Sequence, residues 1–108
     1  MWAIILFETK RGEKPVEEFI KTQEHQAIAK IGQEIDLLSQ YGFLLGMPHS
    51  KKVTSDIYEL RIRGKQEIRI FYSFVKQKIY LLHAFKKQTQ KTPRQEISTA
   101  MNRLNKLT

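Results

Sequence analysis

Two runs dense in Ile, Phe and Tyr, EIRIFYSFV (67–75) and KIYLLHAF (78–85), are separated only by Lys76 and Gln77. Two residues can reverse an antiparallel hairpin but are far too few for the crossover that parallel neighbours need. The chain is therefore expected to contain this hairpin, with other segments covering its faces. A third run, Ile57 to Arg63, precedes it across Gly64, Lys65 and Gln66. Turning through those three residues sets Arg63 opposite Glu67, Arg61 opposite Arg69, and Glu59 opposite Phe71. Tyr58, Leu60 and Ile62 then share one face with Ile68, Ile70 and Tyr72, a consistent apolar set. A two-residue turn would place Arg61 against Ile68 and mix the faces.

The remaining segments supply a first strand and helices. WAIILFE (2–8) reads as a strand, broken by the polar and turn residues Thr9 to Gly12. Pro15 suits a first helical turn, with Glu17 and Glu18 at the positive end of the dipole, so a short helix is expected over about 15–21. From Glu24, the apolar positions Ile28, Ile31, Ile35 and Leu38 recur at three and four, and Gly42 is placed to end that helix. GFLLGMPHSKK reads as a connection. Thr92-Pro93-Arg94-Gln95 offers an N-cap, a proline at N1 and a glutamine at N3. Ile97, Ala100, Met101, Leu104 and Leu107 follow as one apolar stripe. The expected fold is α+β, one compact domain over residues 1–108 in the order β-α-α-β-β-β-α, with a twisted, mostly antiparallel sheet packed by helices. At 41% hydrophobic content such a domain can build its core without metal or disulfide staples.

Charge is the next constraint. Residues 1–40 hold five Lys/Arg and seven Asp/Glu, whereas 41–108 hold fourteen and four, so the net charge of +8 comes from the second part of the chain. A positive field confined in this way suits a face that meets phosphates or an acidic partner better than a general solubility device. The absence of cysteine excludes disulfides, zinc ribbons and thiol nucleophiles and fits a reducing cytoplasm. The apolar N-terminal run lacks a preceding basic region, a cleavage site and the length of a membrane span, so no membrane role is expected.

Like charges directly opposite on paired strands repel, by up to about 1 kcal/mol. Arg61 and Arg69 therefore call for a carboxylate or a bound anion. Glu59, on the same face, is the candidate internal neutraliser. Two guanidiniums on a rigid sheet can fork onto a phosphate and stabilise the charge of a phosphorane-like transition state. They can equally form an exposed ladder of little energetic value, Arg63 with Glu67 and Glu59 with Arg61; the pattern leaves both uses open. Lys86, Lys87 and Lys91 crowd the connection into the last helix. His83, just before them, is either a hydrogen-bonded strand residue or a general acid or base beside a phosphate. Tyr72 and Phe85 have faces on which bases could stack, although the register puts Tyr72 on the core side. His49, Lys51 and Lys52 form a smaller basic cluster read as a solvated loop. No Gly-rich phosphate loop, metal-ligand cluster or Ser/His/Asp arrangement stands out, so neither a cofactor nor a metal is expected.

The phrase DIYELRIRGKQEIRIFY (Asp56–Tyr72), the ending LLHAFKKQTQKTPRQEISTA (Leu81–Ala100) and the element order together resemble the RelE/ParE superfamily of type II toxin–antitoxin toxins, in particular its phage-related HigB-like branch. The resemblance covers essentially the whole chain. It implies a RelE-like domain and a ribosome-dependent endoribonuclease, an mRNA interferase that inhibits translation by metal-independent attack of a 2′-OH on the adjacent phosphate. Carried over by position, it implies catalytic roles for Arg61 and Arg69 on the scissile phosphate and for Lys86 or Lys87 in charge stabilisation. A tyrosine near the start of the last helix, present in some RelE members, has no counterpart, which leaves His83 as the substitute proton donor. Lys51, Lys52, Arg63 and Lys91 would contact RNA. The implied partners are the ribosome with its mRNA and a helix-turn-helix, HigA-like antitoxin through which alone operator DNA would be touched. A ParE-like inhibitor of DNA gyrase and a plain basic RNA-binding module are the alternatives. The first lacks the basic catalytic set found here, and the second would bind RNA without a separable catalytic step.

Overall fold

In a computed structural model that describes residues 1–88, 90 and 93–107, the hairpin forms the middle of a five-stranded sheet. The strands are β1 (Ile4–Leu6), β2 (Ser50–Lys52), β3 (Tyr58–Ile62), β4 (Ile68–Val75) and β5 (Lys78–Lys86), in the spatial order β1-β5-β4-β3-β2. β1 runs parallel to β5 and every other pairing is antiparallel. Lys76 and Gln77 both take positive φ, 51° and 66°, as a tight two-residue turn matched to strand twist requires.

Helices α1 (Pro15–Lys21) and α2 (His25–Tyr41) cover one face and α3 (Arg94–Asn105) part of the other. Val16, Ile31 and Leu38 pack on Leu60, Ile62, Ile68, Ile70, Tyr72 and Leu81. Ala100 and Leu104 pack on Phe7, Phe71, Leu82 and Phe85. The alternation along β3 and β4 thus feeds two cores, one on each side of a single sheet.

The structure corrects four expectations. β1 is shorter than 2–8 because its flanks bond elsewhere: the Trp2 N–H donates to the Ser39 carbonyl at 2.8 Å and the Phe7 N–H to the Leu81 carbonyl at 2.9 Å. The connection after α2 contains a strand, β2, whose pairing with β3 adds an element to the expected order. Ile28 lies exposed, so the buried stripe of α2 begins at Ile31. Pro93 is itself the N-cap of α3, which starts one residue later than the capping box implied, while Thr92 lies outside the described residues.

Gly42 ends α2 at φ 50° and ψ −119°, with its N–H donating to the Leu38 carbonyl. A Cβ built there would clash with Nε1 of Trp2, whose ring packs edge-on against Phe43 and Phe74. Gly42→Ala must therefore strain the backbone and expel the indole. We expect a loss of about 3 kcal/mol in urea unfolding, against less than about 0.5 kcal/mol for Gly46→Ala, where nothing lies within 4 Å.

Tyr72 is buried with its hydroxyl hydrogen-bonded to Ser50 Oγ, tying β4 to the edge strand β2. Burial pushes its pKa from 10.0 up to about 12. The unfolded phenol ionises first, so the stability contributed by the neutral form is complete below pH 10 and is lost as pH rises through 12. Between those limits the native protein should lose roughly 2–3 kcal/mol more than Tyr72→Phe, measured by urea unfolding at each pH.

Candidate functional site

The uncovered part of the α3 side of the sheet lies toward β2 and β3, and there the register brings charges together. Arg61 stands opposite Arg69 and Lys51 opposite Glu59. Glu59 sits between the arginines. Its Oε2 accepts a hydrogen bond from Arg61 Nε at 3.1 Å, and its Oε1 lies 3.7 Å from Arg69 Nε, an ion-pair distance but too long for a hydrogen bond.

Burial divides the two arginines. Arg69 is 3% exposed and is consumed internally: one Nη donates to the Glu67 carboxylate at 3.0 Å and the other to the Ile68 carbonyl at 3.2 Å, while Nε has no hydrogen-bond partner. The Arg61 side chain keeps 12% exposure, and beyond its bond to Glu59 it makes no side-chain hydrogen bond among the described residues. Its Nη groups remain for a ligand. The exposed-ladder reading is corrected accordingly, because Glu59 and Arg69 are interior and Arg61 is partly sheltered. Only Arg63–Glu67, at 3.8 Å, keeps the character of a surface pair.

A cleft of about 270 Å³ opens over this triad, lined by Lys51, Lys52, Arg61 and Lys87 around the buried Glu59. Lys51 and Lys52 are not on a solvated loop, as the sequence suggested, but on β2, where lysines also discourage edge-to-edge pairing. Lys87 is held past the end of β5 by its N–H, which donates to the Glu67 carbonyl at 2.7 Å. Lys52 carries its ammonium 5.8 Å from the centre of the Tyr58 ring, toward the other face, so Lys51, Arg61 and Lys87 are the cations beside the Glu59 carboxylate, an excess of positive charge that suits an anion.

The structure separates other residues that the sequence grouped. Lys86 pairs with Ile68 and, by strand alternation, faces the opposite side from Lys87, in a different cleft together with Arg63. Lys91 lies outside the described residues. His83 is displaced by a bulge between β4 and β5 at Phe71/Tyr72: Phe71 pairs with His83 and Tyr72 with Leu81, so Leu82 is the extra residue. Nε2 of His83 meets Glu96 Oε1 at 2.8 Å, and Nδ1 lies 3.4 Å from an Nη of Arg103. A guanidinium can only donate, so Nδ1 accepts and the ring proton sits on Nε2, directed at Glu96. With both nitrogens occupied and its ring stacked on Phe85, His83 fastens α3 to β5 and is not presented to the cleft. Arg103 also donates to the Leu82 carbonyl at 2.8 Å and lies over the Phe7 ring, and burial lowers its pKa from the ordinary value. His49 is paired with Glu34 at 2.8 Å, away from the cleft. Tyr72 and Phe85 are buried, so neither offers a stacking face.

Among the described residues no group of three or more His, Asp or Glu could hold a metal ion, and no helix is long and apolar enough to cross a membrane. No curated protein matches the chain. The family described as phage derived protein Gp49-like (DUF891) matches residues 18–105. That span contains α2, α3, strands β2 to β5 and every residue lining the cationic cleft, and the chain belongs to the phage derived Gp49-like family.

Proposed function

We propose that this protein is the toxin of a type II toxin–antitoxin pair, of the RelE/ParE superfamily and its HigB-like branch, and that it cuts mRNA on the ribosome. The observation that carries this reading is the open cleft in which Arg61, Lys51 and Lys87 stand around a buried carboxylate. Membership of a RelE/toxin-like family supports it. In the reaction the 2′-OH gives its proton to solvent water and its oxygen bonds to the adjacent phosphorus, as the bond from phosphorus to the 5′-oxygen breaks and that oxygen takes a proton from water. Arg61 donates to the non-bridging oxygens, where negative charge grows, and Lys87 stabilises the departing oxygen. Lys51 holds a flanking phosphate. Arg69 and Glu59 act beneath the surface, fixing the Arg61 guanidinium through its Nε so that its Nη groups face the substrate.

A helix-turn-helix antitoxin is the partner that this reading requires, and it carries any contact with operator DNA. The test is a translation reaction with purified ribosomes, mapping mRNA ends with and without the protein. Cuts at codon boundaries that require ribosomes are expected. Intact mRNA accompanied by inhibition of DNA supercoiling would overturn the reading in favour of a gyrase inhibitor.

A further inference from the structure

On the other side of the sheet, a cleft of about 250 Å³ lies between the β3–β4 hairpin and the start of α2. Lys30, Arg63, Lys65 and Lys86 line it, with Glu24 as its acid, over Ile62 and Ile68. Lys30 is held in place: its Nζ donates to the Arg63 carbonyl at 3.2 Å and passes 3.1 Å from where a Cβ of residue 64 would stand, so Gly64 leaves room for the ammonium against the hairpin backbone. Arg63 is spanned only loosely by Glu67 at 3.8 Å, and Lys65 and Lys86 make no side-chain hydrogen bond or ion pair among the described residues. Four cations share one lining acid here, so they repel one another unless a further anion joins them.

The chain also connects the two clefts. Lys86 and Lys87 are consecutive, and strand alternation sends one to each face of the sheet, so positive charge runs around the sheet end from the Arg61 cleft to the Lys30 cleft. A ligand whose negative charge repeats along its length fits both faces at once. A single carboxylate or lipid headgroup would fill one.

We propose that the cleft of Lys30, Arg63, Lys65 and Lys86 is a second phosphate-binding site that takes the backbone of structured RNA. The proposal rests on the reading of the chain as an RNA-cutting protein and adds a grip separate from the cutting cleft. The site holds phosphates without reading bases, since ammonium groups act as point charges.

Fluorescence anisotropy of a labelled RNA hairpin, titrated at several salt concentrations, tests it without ribosomes. Lys65→Ala/Lys86→Ala removes two exposed side chains and keeps Lys30 on the hairpin. Its affinity should fall about tenfold at low salt, and the slope of log affinity against log salt should fall by about 2. Lys76→Ala/Lys78→Ala, on the far hairpin, should leave the slope nearly unchanged. An unchanged slope in Lys65→Ala/Lys86→Ala overturns the proposal. So does a variant that retains RNA binding and loses binding to phosphatidylserine vesicles. The ribosome-dependent cleavage assay gives the independent readout. A reduced slope with no cleavage by the native protein keeps the second site and removes the nuclease reading, whereas cleavage with an unchanged slope does the reverse.

Discussion

Arg61→Ala is expected to lower ribosome-dependent mRNA cleavage by about 10²–10³-fold while the protein stays folded. The guanidinium is the one forked donor in the cleft whose Nη groups have no side-chain hydrogen bond among the described residues, and its Nε alone is committed, to Glu59 at 3.1 Å. Removing it deprives the transition state of two directed hydrogen bonds. Glu59 keeps Arg69 at 3.7 Å but loses its hydrogen bond, so unfolding free energy should fall by about 1–3 kcal/mol. Arg61→Lys separates charge from geometry. An ammonium can sit near the phosphate or near Glu59 but cannot fork between them, so the rate should recover only in part. Single-turnover cleavage on purified ribosomal complexes, set beside urea unfolding of each variant, checks both halves. A native rate in Arg61→Ala would mean that the cleft is a solvated basic surface and does not act on phosphate.

The central sheet is readable from sequence because two opposed apolar faces leave little freedom of register. The alternation from Tyr58 to Tyr72, interrupted by Gly64, Lys65 and Gln66, admits one pairing if Leu60, Ile62, Ile68 and Ile70 are to share a core. The position of Glu59 beside Arg61 follows from the same parity. What sequence does not carry is burial, and burial decides which arginine meets solvent. Both lie on strands flanked on two sides, but Arg61 is one strand nearer the edge, beside the three-residue β2. Strand order is a tertiary fact.

β2 escapes notice for a related reason. Ser50, Lys51 and Lys52 have no apolar alternation, and two of the three are exposed, so their strand character comes from backbone pairing with β3 alone. The division of Lys86 from Lys87 could have been found by counting. Once Ile68 is assigned to the core face, parity along β5 fixes the side of Lys86. The bulge at Leu82 shifts that parity, however, and no glycine or other local signal marks it. The same bulge sets His83 against Glu96 and Arg103, giving an imidazole that sequence left open between structure and chemistry a structural use. The last helix keeps its expected apolar stripe from Ile97 to Leu104, while its start moves and Leu107 packs from beyond its end at Asn105.

Glu59→Ala is expected to be the most damaging change to the fold. The carboxylate is 2% exposed and lies between two guanidiniums that the β3–β4 register places directly opposite each other. Without it Arg69, itself 3% exposed, keeps its hydrogen bond to Glu67 at 3.0 Å but loses the second carboxylate at 3.7 Å, and Arg61 loses the carboxylate bonded to its Nε. Breaking such a buried pair by removing one partner costs about 3–5 kcal/mol, because the remaining charge stays desolvated. The loss should depend only weakly on salt, since interior charges are poorly screened. Removing the trapped charge as well should repair most of it: Glu59→Ala/Arg61→Met should be more stable than Glu59→Ala alone by at least about 2 kcal/mol, a coupling that urea unfolding of the full mutant cycle measures directly. If Glu59→Ala cost less than about 1 kcal/mol, the triad would be solvated. Arg61 would then have no rigid support, and the geometry on which its contact with phosphate depends would be lost with it.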